Sequence, residues 1–209
     1  MKKILFSFLI LLISAVGFSQ YIAVTPFGGY TLKDRATFGN AYAYVGASWM
    51  WGVSVEAVNA RGQGFELLYQ FQQTNIPVVI YNTINTPSSG DNITNLNYIL
   101  LNAEQYVLRN PRIQPYVGVG VGAAIYKGSQ SPNSATKFAY DAKAGVKFKL
   151  SKVFSIKLGG QLVGSASADG TTLYVPQSPY PEYAYAKYGN IVQFSFTGGL
   201  VFVIGRRKS

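Results

Sequence analysis

Seven charged residues and two glutamines recur at alternate positions of otherwise apolar segments, and they are the side chains of this chain best suited to chemistry. Paired carboxylates can act as general acid and base, whereas mixed charges can line an ion path or neutralise one another. The set comprises Glu56, Glu66, Glu104, Asp141, Lys143, Lys147, Lys157, Gln161 and Gln193. Because buried charges are costly unless paired, and both signs are present, we favour a salt-bridged polar network that fills an interior over an ion path or an active site.

The composition argues against most enzyme classes. The 209 residues include no histidine and no cysteine, which removes the usual general base, cysteine nucleophiles, thiolate or imidazole metal sites and disulfides. The remaining carboxylates stand alone in polar stretches, at Asp34, Asp91, Asp169 and Glu182. We therefore expect no enzyme, no cofactor and no metal site.

The positions of these polar residues follow a period of two. Between Lys137 and Leu150 the odd positions are charged or small and the even positions are mostly apolar. Successive side chains of a β-strand point to opposite faces, so this segment predicts a strand with one polar and one apolar face. Similar alternation, weaker in the first segment, occurs at residues 22–30, 46–56, 65–72, 98–107, 116–125, 156–165 and 193–204. The pattern predicts an all-β protein of about eight strands.

The connections alternate in length. Short turns are predicted at 59–64, 110–114 and 151–153, and longer polar links at 33–43, 82–95, 128–136 and 165–188. Tight turns at one end and long loops at the other are typical of an antiparallel up-and-down β-barrel in an outer membrane, with both termini on the periplasmic side. Small residues on the polar face, such as Gly118 and Gly120, suit a crowded interior, and the opposite face suits hydrocarbon. A soluble barrel with an apolar interior is the alternative.

The N-terminus has the layout of a secretory signal peptide. Lys2 and Lys3 precede an apolar run from Ile4 to Ile13, and small residues follow up to Ser19. The run is too short for a membrane-spanning anchor, which is the alternative. We predict cleavage of residues 1–19, which leaves 20–209 as a single barrel domain.

Two motifs carry a resemblance to a known family. The segments PYVGVGVG at Pro115–Gly122 and TGGLVFVI at Thr197–Ile204 resemble those of small outer-membrane β-barrel proteins of Gram-negative bacteria, the OmpA/OmpX-like group with its outer membrane protein beta-barrel domain. The resemblance implies an outer-membrane location in contact with lipid and lipopolysaccharide. It also implies an assembly signal at Gly199, Phe202 and Ile204, read by the barrel-assembly machinery. The family usually ends on an aromatic residue, whereas this strand ends at Ile204 and five residues follow.

The last long link is rich in tyrosine and proline. The favoured interpretation is an aromatic girdle with a self-packed loop, and the alternative is a contact surface for a protein or glycan at Tyr174, Tyr180, Tyr183, Tyr185 and Tyr188. The basic residues expected near lipopolysaccharide phosphates are Lys33, Arg35, Lys127, Lys137 and Lys187, and those expected near phospholipid headgroups are Arg206, Arg207 and Lys208. Snorkelling side chains that anchor the barrel at the interface are an equally good explanation. Nucleic acid is not expected as a partner of an exported protein without a dense basic patch.

The function favoured by these features is that of a non-enzymatic structural or interaction protein of the cell envelope, either alone or as a subunit of a larger complex with other envelope proteins. A small porin is the first alternative, although about eight strands leave no continuous water channel. An outer-membrane enzyme acting on lipid is the second alternative.

Overall fold

A computed structural model describes residues 21–38, 41–75, 78–80, 93–108, 110–128, 134–166, 172–174, 185–187 and 191–206. The predicted signal peptide lies outside these ranges and stays a prediction. No helix in the described part of the chain is long and apolar enough to cross a membrane.

Eight long antiparallel strands close into a barrel. They are β1 (Tyr21–Thr31), β4 (Ser48–Val58), β5 (Gln63–Asn75), β7 (Ile93–Tyr106), β8 (Ile113–Gly128), β9 (Ser134–Lys149), β10 (Phe154–Ala166) and β13 (Ile191–Arg206). Each strand pairs with the next barrel strand along the chain, and β1 pairs with both β4 and β13 to close the cylinder. The predicted antiparallel barrel of eight strands is confirmed.

Five shorter strands lie in the connections between barrel strands. β2 (Asp34–Phe38), β3 (Ala41–Val45) and β6 (Val78–Ile80) form a three-stranded sheet, and β11 (Thr172–Tyr174) pairs with β12 (Tyr185–Lys187). The long polar link predicted at 33–43 therefore contains β2 and the first residues of β3. Neither strand was predicted, although the sequence there alternates aromatic and small residues around Gly39-Asn40, a pair that favours a two-residue hairpin.

Side-chain exposure alternates along the barrel strands in the predicted phase. Trp49, Trp51 and Phe196 are 77, 57 and 58% exposed, whereas Glu56 and Gln161 are buried. In a closed barrel the buried set points to the axis, so polar side chains face inward and large apolar ones face outward. This orientation of the two faces excludes the soluble barrel with an apolar interior. The outer surface is apolar, as contact with the hydrocarbon of a membrane requires.

Each short turn is closed by a polar side chain at its start. Asn59 Oδ1 accepts hydrogen bonds from the backbone N–H groups of Arg61 and Gln63, at 2.9 and 3.0 Å. Asn110 Oδ1 and Ser151 Oγ accept equivalent bonds in the other two turns. Such side chains replace the lost strand partners of turn N–H groups, so they fix where the strands reverse.

Gly62 has a φ of +79°, the left-handed region that favours glycine. Tyr21 is the register partner of both Val58 and Arg206, so the start of β1 and the end of β13 lie at the short-turn end of the barrel.

Candidate functional site

The interior of the barrel holds the polar residues singled out from the sequence. All nine side chains are buried, and they come from the six strands β4, β5, β7, β9, β10 and β13. The alternation of each strand aims its own polar residues at the axis, and barrel closure then brings residues far apart in sequence within contact distance.

Six of the nine form what we call the ion-pair cluster, which consists of Glu56, Glu66, Glu104, Lys143, Lys147 and Lys157. Glu104 is its centre. The ammonium nitrogen of Lys157 lies 3.0 and 2.8 Å from the two carboxylate oxygens of Glu104, and the ammonium nitrogen of Lys143 lies 2.7 Å from Glu104 Oε1. Lys143 also donates to Glu66, which lies 3.7 Å from Lys157. The three carboxylates and three ammonium groups balance in charge, which is the condition for burying them.

Lys147 and Glu56 form a second, looser pair within the cluster. Their charged atoms are 3.9 Å apart, and Lys147 Nζ also donates to the hydroxyl of Tyr21 at 3.2 Å. The same ammonium lies 5.0 Å from the ring centroids of both Tyr21 and Tyr106. The aromatic faces offset part of the desolvation that a buried ammonium suffers.

Three tyrosines that were not among the predicted site residues belong to this site. Tyr106 donates to Glu104 Oε2 at 2.7 Å, and the ring of Tyr116 lies 4.5 Å from Lys157 Nζ. Tyr21 contacts Lys147, as above. The sequence alternation could have identified Tyr106 and Tyr116, because they occupy the same strand faces as Glu104 and Gly118.

Two further hydrogen bonds lie beside the cluster, one from Asn102 to Glu66 and one from Gln161 to Asp141. Asn102 Nδ2 donates to Glu66 Oε2 at 2.8 Å, and Gln161 Nε2 donates to Asp141 Oδ2 at 3.0 Å. Gly120 is the register partner of both Asn102 and Asp141. A Cβ on Gly120 would overlap the Oδ1 atoms of both neighbours, so the glycine provides the space that these two polar side chains occupy.

Gln193 lies apart from the ion pairs. Its Oε1 accepts a hydrogen bond from Gln72 at 3.3 Å, near the end of the barrel from which the long connections leave. There a hydroxyl pair, Thr31 and Ser195, is also buried, with 3.0 Å between the oxygens.

The interior is not polar throughout, which corrects the expectation of a polar fill. Nine buried side chains form what we call the apolar cluster, which consists of Val45, Leu68, Leu96, Tyr98, Leu100, Ala124, Tyr126, Ala139 and Val163. Eight of them occupy inward positions of barrel strands from mid-barrel toward the long connections, and Val45 belongs to β3, whereas the ion-pair cluster lies nearer the short turns. Sequence alternation assigns a face but does not show that inward leucines from different strands meet.

Lys137 also differs from expectation. Its side chain is buried with Nζ 5.1 Å from the ring centroid of Tyr126, so it is not an exposed ligand for lipopolysaccharide phosphates. Its strand continues beyond it toward the outer connection, which keeps the position inside the barrel.

A cavity of about 30 Å³ lies beside the ion pairs. Its lining includes Thr25, Ser54, Glu66, Lys143, Lys157 and Thr197. A volume of this size accommodates about two water molecules. Two of its hydroxyls suit such waters, since the oxygens of Thr25 and Ser54 have no protein hydrogen-bond partner among the described residues.

The other predicted sites fall in separate places. Gly199 is buried against Thr25 and Phe27, where a Cβ would come within 2.9 and 3.0 Å of their atoms, while Phe202 and Ile204 are exposed on the outer face. Tyr174 and Tyr185 are register partners in the β11–β12 pair. The remaining loop tyrosines, Tyr180, Tyr183 and Tyr188, lie outside the described residues. Within the described ranges no group of three or more Asp or Glu side chains is arranged to hold a metal ion.

Comparisons with known proteins agree with this geometry. A family model described as surface antigen matches residues 67–196, which is more than half of the chain. No curated protein matches the chain in sequence.

Among solved structures, the chain is similar to neisserial surface protein A (TM-score 0.60, 11% identity, covering 88% of this chain and 97% of that one). It is also similar to the outer membrane protein OprG from Pseudomonas aeruginosa (TM-score 0.59, 11% identity, covering 89% of this chain and 97% of that one). A third similar structure is the outer membrane protein AlkL in lipid bilayers (TM-score 0.54, 14% identity, covering 92% of this chain and 94% of that one). These likenesses show a shared fold. With its outward apolar band, the chain is an outer-membrane β-barrel, and it belongs to the surface antigen family.

Proposed function

We propose that this protein is a non-enzymatic structural or interaction protein of the cell envelope. Its barrel is a rigid anchor in the outer membrane, and its long connections are the part offered to partners. The observation that carries this proposal is the filled interior, in which the ion-pair cluster and the apolar cluster occupy successive parts of the axis. A barrel of eight strands is just wide enough for side chains to fill it.

The nine buried polar residues then serve stability rather than transport or catalysis. The lysines are engaged by carboxylates from other strands, so opening a path past them would leave charges unpaired in a low-dielectric interior. The absence of histidine and cysteine from the whole sequence agrees with a role without acid–base or thiol chemistry.

The experiment is a planar-bilayer recording of the purified full chain beside its Glu104→Ala variant. We expect no stepwise current from the wild type, and lower thermal stability without a new current from the variant. A steady ion current from the wild type, or an unchanged melting temperature with a new current in the variant, contradicts the proposal.

A small solute channel is the second candidate, and the cavity beside Lys143 and Lys157 is the observation that favours it. If the ion pairs exchange partners, this cavity is where a path would widen. Currents that rise when Lys157 is replaced by Gln, with the barrel still folded, would favour the channel.

The remaining assignments concern export and partners. We propose that residues 1–19 are removed on export, that both termini are periplasmic and that Gly199, Phe202 and Ile204 are read by the barrel-assembly machinery. N-terminal sequencing of the protein from outer membranes tests the cleavage, with Gln20 as the expected first residue. The chain has no cysteine, so single cysteines introduced at Asn59 or Lys127 test the orientation of the termini. When intact cells are treated with a thiol reagent that cannot cross the membrane, we expect only the cysteine at position 127 to react.

We further propose that the tyrosine-rich link, from Tyr174 to Tyr188, contacts a protein or glycan partner. Deletion of Pro176–Pro181 tests this in a pull-down after mild detergent extraction. Loss of a co-purified partner supports the proposal, and full recovery of every partner contradicts it.

A further inference from the structure

Asp141 is a buried carboxyl group that lies outside the ion-pair cluster. Its side chain is 3% exposed. The ion pairs among the described residues join Glu56, Glu66 and Glu104 to three lysines, and these charges balance without Asp141. Lys143 lies two positions further along the same strand face, yet its ammonium group is shared by Glu66 and Glu104. An ionised Asp141 would therefore be a buried charge with no opposite charge in contact, which is costly.

Two acceptor oxygens, Asn102 Oδ1 and Asp141 Oδ1, point into the same space above Gly120. Both are buried, and neither has a hydrogen-bond partner among the described residues. A Cβ on Gly120 would overlap both oxygens, so they lie close to one another. An amide oxygen and an ionised carboxylate can only accept, so their approach is unfavourable unless a hydrogen lies between them.

The orientation of the Asn102 amide does not remove this conflict. Its Nδ2 donates to Glu66 Oε2 at 2.8 Å, which leaves Oδ1 facing Asp141. If the amide were turned over, it would donate to Asp141 but would place its oxygen against Glu66. One of the two carboxyl groups must therefore supply a hydrogen. Glu66 already accepts from the ammonium group of Lys143, so Asp141 is the group that supplies it.

The other neighbours of Asp141 are compatible with a neutral acid. On β10, Gln161 Nε2 donates to Asp141 Oδ2 at 3.0 Å, and Val163 is the register partner of Asp141. On β8, the register partner is Gly120, which brings no charge. The charged side chains that act on Asp141 are Lys143 on its own strand, Glu66 on β5 and Glu104 on β7, and all three belong to the ion-pair cluster.

A water molecule or a metal ion fits this place less well than a proton. The space that Gly120 leaves is taken up by the two oxygens themselves. The cavity beside the ion pairs is lined by neither Asn102 nor Asp141. A divalent metal ion takes about six oxygen ligands, whereas two unpartnered side-chain oxygens meet here in the described part of the chain. A proton needs no more than these two.

We propose that Asp141 is a proton-binding site inside the barrel, where its carboxyl group keeps a proton on Oδ1 and donates a hydrogen bond to Asn102 Oδ1. Loss of this proton would leave two acceptors facing each other beside Val163 of the apolar cluster. An aspartate in water is ionised above about pH 4, so folding takes up a proton and barrel stability depends on pH. This goes beyond the proposed function and holds whether or not the barrel conducts.

The experiment compares Asp141→Asn with Glu104→Gln in the full chain. Each variant replaces a buried carboxyl group by its amide. The amide at position 141 can donate to Asn102 as the acid does, whereas the amide at position 104 breaks the ion pairs with Lys143 and Lys157. Urea unfolding in lipid vesicles gives the folding equilibrium constant between about pH 5 and pH 7. The chain has no histidine, so few other groups titrate in this range.

We expect Asp141→Asn to gain stability over the wild type as the pH rises. The ratio of their folding constants should increase about tenfold per pH unit, because unfolding releases this proton from the wild type alone and all other groups are common to both chains. Glu104→Gln should lower the folding constant at least about a hundredfold throughout the range.

Infrared spectroscopy observes the proton directly. In the same pH range the folded wild type should show the carbonyl band of a protonated carboxyl group. The band should shift when aspartate is labelled with ¹³C, should persist in Glu104→Gln and should be lost in Asp141→Asn. If Asp141→Asn does not fold, the isotope shift in the wild type decides the matter.

Three results would overturn the proposal. The first is a ratio of folding constants that does not change with pH, and the second is a wild type without a protonated aspartate band. The third is a wild-type stability that falls when sodium is exchanged for a bulky organic cation at constant ionic strength, since a metal ion would then lie between the two oxygens.

Discussion

The two halves of the barrel interior differ in what holds them together. Near the short turns, Glu104 and its neighbours bury six charges in a balanced set, whereas from mid-barrel toward the long connections the apolar cluster lies among buried, mostly uncharged polar side chains such as Gln70 and Gln193. The outward faces of both halves are apolar. The comparison teaches that charge is concentrated in this interior where partners from other strands neutralise it, and that the other half is filled mainly by apolar packing and uncharged polar side chains.

The half near the short turns is stable only while every charge of the ion-pair cluster keeps its partners. Removing one carboxylate from a buried ion-pair set leaves ammonium groups in a low dielectric, which is more damaging than never having had the set. The half toward the long connections depends on side chains that fill the available volume, because close packing is lost when a methyl group is removed.

The largest effect is expected for Glu104→Ala. It removes the carboxylate shared by Lys143 and Lys157 and should lower the free energy of unfolding by about 3–5 kcal/mol. Urea unfolding in lipid vesicles, followed by tryptophan fluorescence, measures the change. Lys152→Ala, an exposed charge, serves as the control, with a change within about 0.5 kcal/mol. Equal stability of the two variants would mean that the ion pairs do not support this half.

A somewhat smaller effect is expected for Leu68→Ala in the apolar cluster. Leu68 is buried, so its truncation should cost about 2–5 kcal/mol in the same unfolding assay. The neighbouring Leu67 is 47% exposed on the outer face, where acyl chains can fill the vacated volume. Leu67→Ala should therefore cost less than about 1 kcal/mol. A reversed order of the two leucines would break the assignment of inside and outside.

Gly120→Ala tests the boundary between the halves. The added methyl group would overlap the Oδ1 atoms of Asn102 and Asp141, so we expect a loss of about 1–3 kcal/mol. Gly198→Ala is the matched control, because its Cβ would meet only Leu158 Cδ2 at 3.4 Å. Both variants are compared by melting temperature in the same micelles. Comparable losses would point to a general strand effect of alanine rather than to crowding at Gly120.

The smallest effect is expected for Thr31→Val, which keeps the shape of the side chain but removes one hydroxyl of the pair with Ser195. The unpaired hydroxyl left behind should cost about 1 kcal/mol. Thr136→Val, at an exposed position, should change the unfolding midpoint little. A loss as large as that of Glu104→Ala would show that polar pairs near the long connections matter as much as the ion pairs.

Much of the local structure could be predicted from the sequence. Alternation at Lys143, Lys147 and Lys157 shows which face of each strand is polar, and Asn59, Asn110 and Ser151 mark the short turns with the residue types that turns require. The hairpin formed by β2 and β3 was not predicted, although its two short segments alternate.

The amino-acid sequence by itself determined the long barrel strands and their two faces, because a period of two is a local property of an extended chain. Only the tertiary structure decided which charges pair. Lys143 and Glu66 are 77 residues apart and Lys157 and Glu104 are 53 apart, so their contact depends on strand register and barrel closure rather than on any local preference. The same closure gathers Leu68, Leu100 and Val163 into one cluster, since the curvature of the whole sheet brings their strands together.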